Sequence, residues 1–189
     1  STDISIATAG SHQPALNGPS DAFLAKFDGN GNRVWATYFG GDGTENATSI
    51  VSDKGGHIYM GGVTTSANGL SHGSVFQTTL GGKQDAFLAK FKEDGTLDWA
   101  TYYGDAENEG TDGLPVAVAW DANNQFVYLA STTDMSTGLA TPGSYQDTLG
   151  VMYDGFLVKF DVQGQREWAT YFGGSSLEFS NSVACDDAG

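Results

Sequence analysis

The sequence is short of the residues on which many reactive and membrane-bound proteins depend. Its one cysteine, Cys185, excludes an internal disulfide and most cysteine-based metal sites. No run of about 18 apolar residues occurs, so no segment is predicted to insert into a membrane. The opening residues STDISIATAG lack the basic and apolar regions of a secretory signal, and none is predicted there.

Positive charge is also scarce. Eight Lys and Arg residues stand against 23 Asp and Glu residues, which gives a formal net charge of -15 at pH 7. Such a surface offers phosphate groups no cationic stripe, so nucleic acid and anionic membranes are excluded as partners. Cations are the more natural small partners of this chain.

Glycine and aromatic residues are abundant, and they are arranged in a repeat. Glycine accounts for 27 of 189 residues, and aromatic residues make up 12%. One segment occurs three times: DAFLAKFDGNGNRVWATYFGG from Asp21, DAFLAKFKEDGTLDWATYYG from Asp85 and DGFLVKFDVQGQREWATYFGG from Asp154. Trp35 follows Lys26 by nine residues, and this spacing recurs in every copy. A spacing without insertions is typical of a tight hairpin, because a one-residue slip would turn every side chain to the other face.

Each copy is predicted to form two strands joined by a Gly-containing turn. The runs AFLAKFD and RVWATYF are apolar at nearly every position, as in strands that are covered on both faces. A second hairpin is predicted after the first two copies, at Thr48–Thr64 and Val116–Thr133, and a further strand begins at Ser182. Each complete unit therefore contains four strands and a patterned loop.

The predicted fold is all-β: a β-propeller built of four-stranded antiparallel blades, with about three blade repeats present. A flat sandwich would show alternating polarity, and a β-solenoid would have shorter coils. The predicted units are residues 1–47 (a partial blade), 48–115 and 116–179 (two blades) and 180–189 (the first strand of the next blade). Because a propeller needs about four to eight blades, we expect the rest of a longer chain, or sister chains, to close the ring.

With these motifs the chain resembles the seven-bladed bacterial β-propeller repeat of large secreted and surface proteins. The resemblance rests on the Asp before each first strand, the Trp-x-Thr-Tyr and Gly-Gly motifs, and the hairpin SIVSDKGGHIYMGGVTT. The loop ATPGSYQ is similar to versions common in surface proteins of Bacteroidota. The chain departs from the family pattern at two places, and both departures are expected to affect loops. No second glycine follows Gly104, and the residues Leu-Ala-Ser-Thr stand where the family has a glycine after a strand. The resemblance implies an extracellular or cell-surface module without implying an activity.

Residues that recur in every copy are predicted to be structural. The recurring Asp and Lys are interpreted as residues that satisfy backbone groups at the sheet edge and each other, rather than as acid/base pairs. They are Asp21, Asp85, Asp154, Lys26, Lys90 and Lys159. The Trp and Tyr of the WATY motif are interpreted as packing residues between blades, with a sugar-stacking groove as the alternative.

The histidines and the cysteine show no pattern of a zinc or catalytic site. His12 fills a loop position that is aromatic in the other copies, His57 opens a strand and His72 lies in a loop. None has a second His or Cys at metal-ligand spacing, so zinc is not expected. No serine elbow or Ser/His/Asp set is present. Cys185 is interpreted as a structural thiol without a basic neighbour.

One loop differs in length between copies and carries the candidate metal ligands. The segment GDAENEGTDGLP holds four extra residues between a strand Trp and the next strand Asp. Its acidic side chains are Asp105, Glu107, Glu109 and Asp112. Clustered oxygen ligands favour calcium, although the spacing is not that of an EF-hand and solvated surface acids are the competing interpretation. No other cofactor is expected.

The sequence thus predicts a non-catalytic extracellular or cell-surface module that acts as a scaffold, adhesion or protein-interaction platform. Its expected partners are other surface proteins or glycans. A carbohydrate-binding propeller is the alternative, with loop Tyr, Trp and Asn residues contacting sugars. A glycoside-acting enzyme is the third hypothesis, which would need two unique carboxyl groups across a pocket.

Overall fold

The computed structural model describes residues 6–105, 115–134, 138–150 and 152–186, and ten antiparallel strands form three sheets in it. Sheet 1 contains β1 (Ala22–Phe27) and β2 (Arg33–Phe39). Sheet 2 contains β3 (Glu45–Ser52), β4 (Ile58–Thr64), β5 (Asp85–Phe91) and β6 (Leu97–Tyr103). Sheet 3 contains β7 (Ala117–Asp121), β8 (Phe126–Thr133), β9 (Asp154–Phe160) and β10 (Arg166–Phe172). The described residues include no helix of the length and hydropathy needed to cross a bilayer.

The strands of each sheet follow chain order, and the repeated spacing fixes their pairing. Lys26 lies opposite Trp35, and the equivalent Lys and Trp are paired in sheets 2 and 3. The intervening turns each hold a glycine at a φ of +81° to +84°, a conformation that glycine adopts without a steric penalty. These glycines are Gly31, Gly95 and Gly164. The predicted hairpins are therefore confirmed.

Strands β4, β5 and β6 of sheet 2 are covered on both faces, which explains why they lack alternating polarity, whereas burial alternates along the edge strand β3. The core shared with sheet 1 includes Leu24, Phe39, Met60, Phe87, Phe91 and Tyr102. The core shared with sheet 3 includes Tyr59, Leu88, Tyr103, Val118, Leu129, Phe156, Val158 and Phe160. The hydrophobic core thus consists of two layers between three sheets.

The all-β class and the four-stranded antiparallel sheets are confirmed, and two strand predictions differ from the structure. β3 begins at Glu45, before the hairpin start that was predicted at Thr48. Residues 182–186 of the strand predicted to begin at Ser182 form no strand, and residues 187–189 lie outside the described part of the chain. A strand requires a neighbouring strand to pair with, and none of the described strands pairs with residues 181–186.

Candidate functional sites

The recurring aspartates, of which Asp85 and Asp154 are buried and Asp21 is half-buried, form a hydrogen-bond network with a glutamine. In sheet 2 the Gln77 side-chain amide donates to Asp85 (2.8 Å), and the Gly104 amide donates back to the glutamine oxygen (3.0 Å). The Gly81 backbone amide also donates to Asp85 (2.8 Å). The same arrangement joins Gln13 to Asp21 and Gln146 to Asp154. These carboxylates hold the loop before the strand against the end of the hairpin.

The recurring lysines lie at the other end of the same strands. Lys26 forms an ion pair with Glu93 of sheet 2 (3.0 Å), Lys90 pairs with Asp98 (3.2 Å), and the Lys159 ammonium lies 3.6 Å from the Phe126 ring centroid. The Asp and Lys of one strand are five residues apart, roughly 17 Å along an extended chain. The expectation that they satisfy each other is therefore wrong, because the strand separates them.

The tryptophans connect successive sheets, as predicted. The Trp35 indole Nε1 donates to the Glu93 carbonyl in the sheet 2 turn (3.1 Å), and Trp99 donates to the Val162 carbonyl in the sheet 3 turn (2.9 Å). Each indole lies against the turn glycine, where an added Cβ would approach the ring to within 2.9 Å at Gly95. The tight turn and the tryptophan therefore form one packing unit.

Trp168 differs from its two counterparts because it is only half-buried. It lines a surface cavity of about 370 Å³ together with Pro142, Gly143, Ser144 and Tyr145. Beside it the exposed Tyr145 ring stacks on Phe172, with centroids 6.1 Å apart and planes at 27°. The sequence does not predict which tryptophan is exposed, because the WATY motif is the same in all copies and only its burial differs.

A second cavity, of about 360 Å³, lies between the turn ends of sheets 2 and 3. Lys54, Lys90 and Trp120 line it, and there the His57 Nδ1 lies 2.8 Å from an Asp53 oxygen. This His57–Asp53 pair was not predicted from the sequence. The sequence does contain a signal for the pair. Asp53 and His57 are the first and last residues of the turn DKGGH, and the other complete copy has Gln in place of the histidine.

Two ionisable groups of the described chain, the Tyr59 phenol and the Cys185 thiol, have raised pKa values. Burial, with a contribution from the carboxylates of Asp53 and Asp98, raises the pKa of Tyr59 well above its usual 10. The phenol therefore stays protonated at neutral pH. Burial and the carboxylates of Asp121 and Asp186 raise the pKa of Cys185, which keeps this thiol in its unreactive form.

A buried carboxylate that sequence reasoning missed closes the end of sheet 1 onto sheet 2. Glu45 accepts hydrogen bonds from the hydroxyls of Thr64 (2.6 Å) and Ser66 and from the Gly41 amide (3.0 Å). Glu178 accepts from the Gly174 amide (2.9 Å) in the same way. The shared patterns GGDGTE and GGSSLE carried this signal.

The calcium candidates fall almost entirely outside the described residues. Glu107, Glu109 and Asp112 lie there, and only Asp105 is described. The Asp105 carboxylate lies against Gly138, where an added Cβ would fall 2.0 Å from one of its oxygens. Among the described residues, no group of three or more His, Cys, Asp or Glu side chains is placed to hold a metal ion.

Comparison with known proteins adds no family assignment. No protein-family model matches the chain, and no curated protein does.

Proposed function

We propose that the protein is a non-catalytic β-propeller module that acts outside the cell or at the cell surface as a scaffold, adhesion or protein-interaction platform. One observation carries the proposal: the glutamine and the aspartate that recur in every copy are engaged in holding the fold. Gln77, for example, contacts both Asp85 and the Gly104 backbone. A repeated, internally satisfied unit provides a rigid surface whose loops are free to vary.

We infer the propeller arrangement from the way in which the three sheets pack on one another. Three sheets that stack face to face, with the middle one covered on both sides, are what successive blades require. The acid-rich surface fits an extracellular platform, since a net charge of -15 favours solubility and disfavours non-specific binding to nucleic acid.

A crystal structure tests the propeller. We expect one common axis to relate sheet 1 to sheet 2 and sheet 2 to sheet 3, with a rotation of roughly 45–90° per step. Sheets related by unequal rotations, or by translation alone, would contradict it. A panel of glycosidase, esterase, peptidase and phosphatase substrates tests the absence of catalysis. Turnover that copurifies with the protein would contradict the scaffold role.

Carbohydrate binding is the second candidate, and the Tyr145 platform favours it. Exposed aromatic rings beside small polar residues are a surface on which sugar rings stack. A glycan array with the wild-type chain is expected to give hits that Tyr145→Ala abolishes and Met152→Ala, at another exposed apolar side chain, retains. An array without hits would dismiss this candidate.

A further inference from the structure

The two interfaces between the sheets are built from the same aromatic cluster. Between sheets 1 and 2, the Phe39 ring lies 5.4 Å from Phe87 and 5.5 Å from Phe91. Between sheets 2 and 3, the equivalent Tyr103 lies 5.6 Å from each of two phenylalanines, Phe156 and Phe160. Each interface thus joins one aromatic residue at the end of a hairpin to two phenylalanines of the next hairpin.

Each interface has two chemically different halves. The half that we call the Trp face carries the strand tryptophan and the aromatic residue four positions after it, which in sheet 3 are Trp168 and Phe172. The other half, the Phe face, carries two phenylalanines and the glycine turn that receives the indole. In sheet 1 these residues are Phe23, Phe27 and Gly31. Sheet 2 presents one half on each side, and both are covered.

The structure leaves one Trp face and one Phe face open. On sheet 3, Phe172 is 66% exposed, whereas its counterparts Phe39 and Tyr103 are buried. On sheet 1, Phe23 and Phe27 are 61% and 59% exposed, whereas the equivalent phenylalanines in sheets 2 and 3 are buried. A Cβ added at Gly31 would meet no described atom within 4 Å. The two open surfaces are therefore the complementary halves of the interface that the chain already forms twice.

We propose that the Trp face of one molecule binds the Phe face of a second copy of this chain. In this contact Phe172 lies between Phe23 and Phe27 of the second copy. The Trp168 indole covers the second copy's Gly31 turn and donates to its Gly29 carbonyl, the position equivalent to Glu93 and Val162. The contact is heterologous, since each molecule contributes a different surface, so it joins molecules head to tail and closes into a ring where the rotation between sheets allows it.

Continuity with the internal interfaces identifies the occupant. A glycan would cover the aromatic group on sheet 3 but would leave Phe23, Phe27 and the Gly31 turn exposed. A second copy covers both surfaces by repeating an interface whose geometry this sequence already satisfies. Because each molecule carries a net charge of -15, mutual repulsion opposes the contact, and added salt should strengthen it. This self-association does not depend on whether the protein acts at a cell surface.

Sedimentation velocity at 0.15 M and 0.5 M NaCl tests the proposal. The wild-type chain is expected to show a concentration-dependent average mass above that of one molecule, more so at the higher salt. Trp168→Ala and Phe27→Ala each remove one half and should weaken association by about tenfold or more. Met152→Ala is the matched control, because Met152 is exposed and its counterpart in the doubly covered sheet 2, Lys83, is also exposed.

Mixing the two single variants identifies the geometry. Trp168→Ala keeps an intact Phe face and Phe27→Ala keeps an intact Trp face, so an equimolar mixture of the two should form a dimer through these intact faces. The double variant has neither face intact, so adding it to either single variant should restore less dimer. A monomeric wild-type chain at its solubility limit would overturn the proposal. So would undiminished self-association of Phe27→Ala, a mixture that fails to recover, or an equal loss in Met152→Ala. Circular dichroism identifies any variant that fails to fold.

Discussion

At the scale of single residues, Gln77 is placed to contribute more to stability than the exposed Gln165. Its side-chain amide donates to the buried Asp85 carboxylate and accepts a hydrogen bond from the Gly104 backbone amide. Gln77→Ala leaves both groups without these bonds, and we expect a loss of about 2–3 kcal/mol in the free energy of unfolding. Gln165→Ala is the control, because Gln165 makes one exposed bond to the Ser74 carbonyl (2.8 Å) and should lose about 0.5 kcal/mol or less.

Urea denaturation of the two variants measures this difference. Equal losses in Gln77→Ala and Gln165→Ala would contradict the structural role that we assign to the repeated glutamine.

Asp121 should make the stability depend on acid pH. The Asn124 backbone amide, followed by its side-chain amide and the Asn123 backbone amide, lowers the pKa of this carboxyl below 3.8. A group whose pKa is lowered by folding stabilises the protein above its unfolded-state pKa and loses that contribution as the pH falls through the folded value. Asp121→Asn should therefore be less stable than wild type at pH 7, with the gap closing below about pH 4. Melting curves between pH 7 and pH 2 measure the gap; a constant gap would contradict the assignment.

The turn glycines offer a comparison of one substitution in two settings. Gly31 and Gly95 have nearly the same φ, +82° and +84°, but only Gly95 lies under an indole ring. Gly31→Ala should lose about 1 kcal/mol from the left-handed backbone alone. Gly95→Ala should lose about 2–4 kcal/mol, because its methyl group also displaces Trp35. Thermal or urea denaturation of dilute protein measures both losses in stability. Equal losses would show that contact with the Trp35 ring adds nothing to the cost of the substitution at Gly95.

The role of the tryptophans was predictable from sequence, whereas the role of the glutamines was not. A large apolar side chain in a strand that is covered on both faces is expected to pack against the neighbouring sheet. Gln77 and Asp85 were visible as repeated residues, but they meet only because the loop between them folds back onto the hairpin. That contact depends on loop geometry, for which the sequence contains no periodic signal.

At the scale of strands, the hexapeptide AFLAKF forms β1 and, as part of DAFLAKF, also lies in β5, where its surroundings are different. β5 is paired on both edges, with β4 and β6, whereas β1 pairs only with β2 among the described strands. Identical sequences have identical intrinsic amide exchange rates, so any difference in protection reports the structure. We expect the β5 amides to exchange at least about tenfold more slowly than those of β1.

Hydrogen–deuterium exchange on peptides that cover residues 21–27 and 85–91 measures this difference directly. Equal protection in dilute protein would mean that the open edge of β1 is covered, contrary to the strand arrangement described here.

Strand prediction succeeded where the pattern and its neighbours agreed. The nine-residue spacing from Lys to Trp fixed the hairpins, since Lys26 and Trp35 lie directly opposite each other. The segment from Ser182 has the same apolar pattern as β3 and β7 but forms no strand up to Asp186. Strand propensity records how well a side chain fits a sheet surface, and it cannot supply the neighbouring backbone that the strand must pair with.

At the scale of the whole molecule, the layered core and the surface charge act in opposite directions. The two core layers between the sheets hold the molecule together. The charge does the reverse, because eight basic residues cannot neutralise 23 acidic ones and the excess negative charges repel one another in the compact state. Screening of that repulsion should stabilise the native fold, and this effect needs no specific ion site.

Thermal unfolding in increasing salt measures this screening. Between 0.02 M and 0.3 M NaCl the Debye length shortens severalfold, and a gain of about 1 kcal/mol would raise the melting temperature by about 2–4 °C for a chain of this size. Choline chloride at matched ionic strength should act equally, because screening depends on charge and not on ion identity. If calcium binds at Asp105, Glu107, Glu109 and Asp112, CaCl₂ at the same ionic strength adds a further rise that Asp105→Asn removes. A melting temperature that does not change with NaCl would contradict the repulsion argument, because the acidic side chains would then already be neutralised within the fold.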